Sequence, residues 1–506
     1  MSSTASSFTF ADLFAGIGGF AAALRAFGGM PVYSVEVDEA AARVYELNWG
    51  HSPLGDITAD ANDGVMNVPA HDILAAGFPC QPFSKSGAQK GMEEIRGTLF
   101  FDIMAIVRAK LPAVVLLENV RNLAGPRHEH EWAVIIDHLR NAGYRVSETP
   151  AVLSPVNLAP EVGGHPQTRD RVFIAATRVA PTSPTPEIAE QLRKGTLVLP
   201  DPTKDTNETA PPISLDHLKM TRPWDLVADL PLDTKNDQGD GSVSAEEWRW
   251  IDHWGLLVQR MRDMLAHEAE REERPAKEIP GFPIWANVWT PDMTEQEKLL
   301  ADAAGMKWKI GHLTKNFNLY KRLRDFDAYV ASSTGVVGEK TWTALWLHKT
   351  LTFPESRQKM EWQAQDTGTI RECVISMRPS GLRVKQMTHL PALVAISQTP
   401  ILAPLNRRLT IEEGTLLQGL PTTFAGASWK QLGNGVNAGV VAQALLAQVN
   451  RDDTLLGYDE RGNIVLEAVR RAMKDTGGDL RGRIAEAVER GQALARANRE
   501  GSAPRP

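Results

Sequence analysis

The chain has 506 residues, 42% hydrophobic and 23% charged, with two Cys and a net charge of -7, a globular composition long enough for about three domains of roughly 150 residues each. Two cysteines exclude a disulfide framework and a multi-cysteine zinc site, so no metal is expected and the compartment is read as reducing. Met1 to Ser7 lacks a basic segment leading into an apolar run, and no stretch approaches the roughly 20 apolar residues of a membrane span, which predicts a cytoplasmic protein without a membrane partner.

Short apolar runs at 8–14, 31–35, 71–77, 113–117 and 171–176 read as strands. They alternate with helical patterns such as Leu99, Ile103, Ile106 and Val107 ahead of Pro112. That alternation predicts a doubly wound α/β domain on a parallel sheet. The first turn, AGIGGFA at 15–21, lies between strand and helix, where glycines let backbone approach a ligand at a helix N-terminus. Glu36 ends the second strand, where an acid can bond ribose hydroxyls. This pattern fits a dinucleotide and S-adenosylmethionine equally, and glycines serving only a tight turn are the bland alternative.

Cys80, in FPCQPF at 78–83, sits on a loop leaving the carboxyl edge of the sheet, where ligands bind in open α/β folds. A lone cysteine is ordinarily a small buried hydrophobe, and a strand-end glutamate is ordinarily a cap. Here Glu118, in LLENV at 116–120, ends the next strand on the same edge, so the glycine turn, Cys80 and Glu118 converge on one crevice.

With these features in place, the chain resembles the C5-cytosine DNA methyltransferases. The likeness runs from 10 to about 177 and resumes from 407 to about 447. It is carried, in the family's order, by DLFAGIGG at 12–19, GFPCQ at 77–81, ENV at 118–120, QTRDR at 167–171, LQGLP at 417–421 and QLGN at 431–434. The resemblance implies an S-adenosylmethionine-dependent, Rossmann-like catalytic domain with a large inserted target-recognition domain, acting on double-stranded DNA. Carbon 5 of cytosine is a poor nucleophile until a thiolate adds at carbon 6, which suits Cys80. Glu118 is then expected at ring N3 and the exocyclic amine with a raised pKa, Arg171 at the cytosine O2, and Arg169 beside it, since residues two apart on a strand point the same way. For the cofactor, Phe14 is expected against adenine, Gly16 and Gly18 at the amino-acid end, Glu36 on the ribose, Asp56 on the adenine amine, and Asn434 closing the pocket. Gly19, Ile57 and Pro79 complete that shell. Val37 stands where many relatives carry an aromatic residue. The polar loop 84–97 resembles the family's active-site loop, with Ser84, Gln89 and Arg96 facing DNA across a flipped base.

Residues 181–220, rich in Pro and Thr, read as a linker; a short helix follows in 222–231. A capping box at Ser244 opens a long helix through Arg274, with Trp248 and Leu256 in its buried stripe. Segment 301–405 carries 14 Lys or Arg against 8 Asp or Glu, and 10 of the 13 Trp fall between Trp224 and Trp362. The whole-chain charge therefore hides a basic, aromatic-rich module suited to phosphate contact. Arg357, Lys359, Arg378, Arg383 and Lys385 are its expected DNA contacts; Cys373 is expected to be a packed thiol in a strand.

By family resemblance 181–405 is the target-recognition insert, which sets the expected domains at 1–180, 181–405, 406–450 and a charged helical tail at 451–506. Glu412 and Asn437 stand where relatives usually have Arg and Pro. No regulatory domain precedes the motifs, which points to the prokaryotic or phage type. A DNA (cytosine-5-)-methyltransferase is expected, monomeric on DNA, solitary or with a cognate restriction endonuclease. The alternatives are a tRNA cytosine methyltransferase, which the basic insert disfavours, and a catalytically silent DNA-binding relative, which intact Cys80, Glu118 and Arg171 disfavour. A nicotinamide-dependent dehydrogenase would share only the glycine turn and Glu36. The recognition sequence is not legible in the residues.

Overall fold

The computed structural model describes residues 7–62, 64–79, 99–232, 241–335, 340–393, 399–475 and 477–502. The chain forms two compact units, one of residues 1–224, 391–395 and 411–506 and one of 225–390 and 396–410.

In the first unit the strands are β1 (Thr9–Leu13), β2 (Met30–Val35), β3 (Ile73–Gly77), β4 (Val114–Val120), β5 (Tyr144–Arg145), β6 (Ala151–Leu153), β7 (Gln167–Thr168) and β8 (Arg171–Arg178). All but β7 form one sheet in the order β2-β1-β3-β4-β8-β5, with β6 paired to β8. The first four strands run parallel, as their intervening helices require. The rest of the sheet departs from the expected parallel arrangement: β8 is antiparallel to β4, and β5 and β6 are antiparallel to β8. The reason is the connection. Residues 154–170 form two single-turn 3-10 helices and β7 but no α-helix, and a parallel return needs a crossover of a dozen or more residues that is usually an α-helix. Leu74, Ala76, Val115, Leu117 and Ile174 pack with Ile103, Ile106 and Val107 of the helix Leu99–Lys110, so the central strands are continuously apolar.

The later segment returns to this sheet through buried amides. Gln167 Nε2 and Asn437 Nδ2 both donate to the Leu417 carbonyl, at 3.2 and 2.9 Å, and Gln448 Nε2 donates to the Ala176 carbonyl at 3.0 Å. Asn437 also caps the helix Ala438–Arg451 by accepting from Val440 N at 2.9 Å, a use that explains an asparagine at this position. Residues 453–502 are integral to the unit. Arg461 reaches Asp72 at 2.8 Å, Arg483 Nε donates to the Ala26 carbonyl at 2.7 Å, and Gln492 bonds Asn48 at 2.8 Å from the helix Leu480–Ser502. Residues up to 224 also belong here, including the helix Pro186–Lys194 within the expected linker.

The second unit is built on a six-stranded sheet ordered Arg407–Arg408, Ile401–Leu402, Val374–Arg378, Gly381–Lys385, Lys359–Gln363 and Ile284–Trp285. Its core joins Trp254, Trp289, Trp346 and Trp362 with Ile375, Leu382 and Val384. The helix Ala245–Arg271 begins with the expected Ser244–Glu247 capping box. Its buried stripe, however, is Ile251, Trp254, Leu257, Val258, Met261 and Leu265, at spacings of three and four. Leu256 is 57% exposed and Trp248 only partly buried, its ring covered by the Arg371 guanidinium at 3.7 Å, which corrects the expected stripe by one position. Cys373 is buried and its thiol is pushed up to about 12 by burial, as suits a packed group. Leu257→Ala should cost about 2–5 kcal/mol of stability while Leu256→Ala stays within about 0.5 kcal/mol, compared by denaturant unfolding.

Candidate active site

The glycine turn that follows β1 is set by steric necessity. Phe14, Gly16 and Gly18 all have positive φ, at 56°, 55° and 92°. A Cβ on Gly18 would lie 2.1 Å from Trp49 Nε1, whose N–H donates to the Ile17 carbonyl at 3.0 Å; one on Gly19 would lie 2.6 Å from the Val436 carbonyl oxygen. Gly16 meets nothing within 4 Å, so its glycine answers the backbone conformation alone. Phe14 adopts that conformation despite its side chain, at a cost on the order of 1 kcal/mol.

Glu36 ties this turn to the next one. Its Oε2 accepts from Gly16 N and its Oε1 from Asp38 N, both at 2.8 Å. Beneath the turn lies Asp12, fully buried, with neither carboxylate oxygen in a good hydrogen bond. Burial first, then the charge of Glu36, raise its pKa well above the usual carboxylate range; the Ala21 amide and Arg25 offset this only in part.

At the carboxyl edge, parallel register sets Gly77 beside Glu118, and a Cβ on Gly77 would come within 3.3 Å of Glu118 Oε2. Glu118 Oε1 accepts from Arg171 Nε at 2.9 Å, and the two side chains are 11% and 19% exposed. Burial raises the Glu118 pKa, and the charges of Arg171 and Arg169 pull it back incompletely. Asn119 Nδ2 donates to the Phe78 carbonyl at 2.9 Å and so pins the strand exit that leads through Pro79.

Arg169 does something other than expected. It is 1% exposed and donates to the carbonyls of Leu393 at 3.1 Å, Gly433 at 2.8 Å and Gly435. Burial lowers its pKa to about 9. The assignment of Arg169 beside the reacting base is therefore corrected: it is a positioning residue that fixes the backbone on both sides of Asn434. Two arginines spaced by two residues divide because Arg171 begins β8 whereas Arg169 lies between β7 and β8.

A cleft of about 550 Å³ brings together Phe14, Gly16, Glu36, Asp56, Ile57, Pro79 and Asn434 of the expected cofactor shell with Glu118 and Arg171 of the expected catalytic set. Gly18 and Gly19 serve the packing behind it. Val35, Leu99 and Gly433 also line the cleft and were not anticipated; Val35 could have been read from its place beside Glu36. Asp56 caps the short helix Ile57–Asp60, its Oδ1 accepting from Thr58 N at 2.9 Å. Cys80, Ser84, Gln89 and Arg96 lie outside the described residues.

The basic candidates of the second unit separate into two kinds. Arg357 is 9% exposed, donates to the Arg378 carbonyl at 3.1 Å and lies over the Trp250 ring at 5.5 Å. It is an internal strut, which corrects its expected phosphate contact. Lys359, Arg378, Arg383 and Lys385 share the half-exposed face of the sheet, where Lys359 pairs with Glu355 and Arg383 with Glu361, each at 2.8 Å.

Because Asp12 is neutral when folded and ionised when unfolded above the usual carboxylate range, its contribution is fully present at low pH and is lost as pH rises toward its raised pKa. Stability should fall by about 1.4 kcal/mol per pH unit from this source in that window. Asp12→Asn should remove that slope, seen as a flatter stability–pH curve above pH about 4.

A model of C-5 cytosine-specific DNA methylases matches residues 8–255. The chain is 40% identical to the type II methyltransferase M.AluI of Cellulosimicrobium cellulans, across 93% of this chain and 97% of that protein. It is 47% identical to M.HhaI of Haemophilus parahaemolyticus over 33% of this chain and 49% of that protein, and 44% identical to M.HpaII of Haemophilus parainfluenzae over 33% and 45%. On a likeness that spans nearly the full length of a relative, together with the Rossmann-like sheet, the chain belongs to the C-5 cytosine-specific DNA methylases and is a DNA (cytosine-5-)-methyltransferase.

Proposed function

We propose that the cleft of the first unit holds S-adenosyl-L-methionine and a cytosine flipped out of a specific duplex DNA sequence, and that Cys80 is the covalent nucleophile. The observation that carries this reading is the Glu118–Arg171 pair, set on the wall of the same cleft as Glu36 and Pro79, the residue directly before Cys80. The cofactor fits what is there: a carboxylate at the end of β2, a turn with open backbone at Gly16, and apolar walls from Phe14, Val35, Val37 and Ile57. Glu36 would take the ribose hydroxyls and Asp56 the adenine amine. Val37 is 73% exposed and aliphatic, so it supplies a wall without a stacking ring.

Chemistry begins with the base. The Cys80 thiolate bonds to carbon 6, and the displaced electron pair makes carbon 5 nucleophilic. Glu118 holds a proton at N3, where negative charge would otherwise build, and its raised pKa keeps that proton available. Arg171 orients Glu118 and is within reach of the cytosine O2 in this reading. When bound, S-adenosylmethionine supplies an electrophilic methyl group for carbon 5. Loss of the carbon 5 proton then restores the double bond and expels the thiolate. Duplex DNA is gripped by the second unit, with Arg378, Arg383 and Lys385 of its sheet face as contacts and the loop carrying Ser84, Gln89 and Arg96 covering the base. The enzyme acts in the cytoplasm as a monomer, in a restriction–modification system with a cognate endonuclease. In support, no helix among the described residues is long and apolar enough to cross a membrane, and the relative M.AluI is a type II methyltransferase.

Cys80→Ala should abolish methyl transfer while DNA affinity stays within about threefold, and a duplex with 5-fluorocytosine at the target should trap wild-type enzyme as a covalent adduct; active enzyme that forms no adduct would rule out the thiolate route. Glu118→Gln should lower kcat by about 10²–10⁴-fold. In the wild type the rate should decline as pH rises through the Glu118 pKa, and that alkaline limb should vanish in Glu118→Gln, read from pH–rate profiles.

A further inference from the structure

The helix Lys307–Thr334 of the second unit turns one side to its core through Leu313, Phe317, Tyr320, Leu323 and Phe326. Asn316, also buried, locks it in place by accepting from Trp285 N at 2.7 Å and donating to the Pro283 carbonyl at 3.0 Å. On the opposite side an exposed stripe runs through Lys307, Trp308, Gly311, Lys315, Asn318 and Lys321, at helical spacing. From 303 to 324 the sequence has six Lys or Arg and no Asp or Glu, inside a chain with more acids than bases. Of those six, Arg322 is held by Glu268 at 2.8 Å; none of Lys307, Lys315 and Lys321 has a carboxylate partner among the described residues. Trp308 is 62% exposed, whereas every other tryptophan between Trp224 and Trp362 is buried or partly buried.

A solvated face of a helix ordinarily mixes both signs of charge. This one is cationic from Lys307 to Lys321, about 21 Å of helix, and the residues between its lysines are small: Gly311, Thr314 and Asn318. A Cβ on Gly311 would meet nothing within 4 Å. We infer that this stripe is a second DNA-contact surface, which binds the phosphate backbone of the duplex through Lys307, Lys315 and Lys321, with Trp308 as a rigid flat contact at its end. The occupant is chosen by charge complementarity: a continuous row of anions is the partner for a carboxylate-free row of cations. Such contacts position the duplex and do not read its sequence. Flipping a base costs a few kcal/mol, and added phosphate contacts outside the cleft help to offset it. The inference rests on duplex DNA as the substrate.

Gly311 provides a clean test, since both Gly311→Ala and Gly311→Glu put a better helix former into open space. Dissociation constants would be measured for the target duplex and for a site-free duplex across about 50–200 mM salt. Gly311→Glu should weaken both duplexes by about tenfold at low salt, and Gly311→Ala should match wild type. Lys315→Gln with Lys321→Gln should reduce the log–log salt slope by about two, one for each phosphate that is no longer neutralised. Cofactor binding should be unchanged in all three, which shows that folding is intact. Unchanged affinity and slope in both Gly311→Glu and the double variant would overturn the inference and leave the methyltransferase reading untouched. Failure of that reading would instead show in the wild-type protein, as no methylation of any duplex.

Discussion

A single buried guanidinium holds the catalytic unit in its working arrangement. Arg169 is almost wholly removed from water, and its partners are backbone carbonyls from segments more than 200 residues away, at Leu393, Gly433 and Gly435. Burying a charge costs free energy that hydrogen bonds offset; here the two terminal nitrogens are met by carbonyls while Nε is buried without a partner, so those carbonyls and the guanidinium constrain one another. Asn434 lies between two of those carbonyls and lines the cleft. The same junction is drawn in by Gln167 and Asn437 on the Leu417 carbonyl and by the bare Cα of Gly19 under Val436. The contacts of Arg169, Gln167 and Gly19 join the early and late parts of the sequence, Asn437 braces the late part internally, and together they close the pocket wall.

Inside that frame two carboxyl groups are raised by desolvation for different ends. Asp12 lies beneath the turn without a good hydrogen bond, a site that favours the neutral acid. Glu118 faces the cleft with Arg171 as partner, a geometry that keeps the carboxyl oriented while burial keeps it protonatable. Glu36, between them in function, accepts two backbone N–H bonds and remains at the mouth of the turn. Three acids near one strand edge are thus distinguished by what surrounds them.

The second unit separates its two unusual components. Tryptophans go mainly to the core, where Trp254, Trp289 and Trp346 lie within 6 Å of a neighbouring ring, and aromatic burial on this scale makes a stiff platform. Cations go partly to internal struts, as Arg357 shows, and partly to the outer faces of one sheet and one helix. A basic surplus counted along the sequence cannot tell these uses apart.

Much was legible in the residues. The strands carrying the motifs, the glycine turn, the Ser244 capping box, and the convergence of the glycine turn with Glu118 on one strand edge follow from local pattern, because periodicity and strand-end position are properties of neighbouring residues; the place of Arg171 at that site was implied by the family resemblance. Other features depend on partners far along the chain. Nothing near Arg169 announces carbonyls at 433 and 435, and the antiparallel entry of β8 is set by what the preceding loop does not form, whereas the buried side of the helix around Leu256 is present in the spacing of Ile251, Trp254, Val258, Met261 and Leu265, from which the expected stripe departs by one position. The chemistry of this methyltransferase was therefore written in short motifs, whereas the closing of its pocket, the fate of each arginine and the exposure of the helix Lys307–Thr334 were decided by tertiary packing, since burial and long-range hydrogen bonds exist only once distant segments meet.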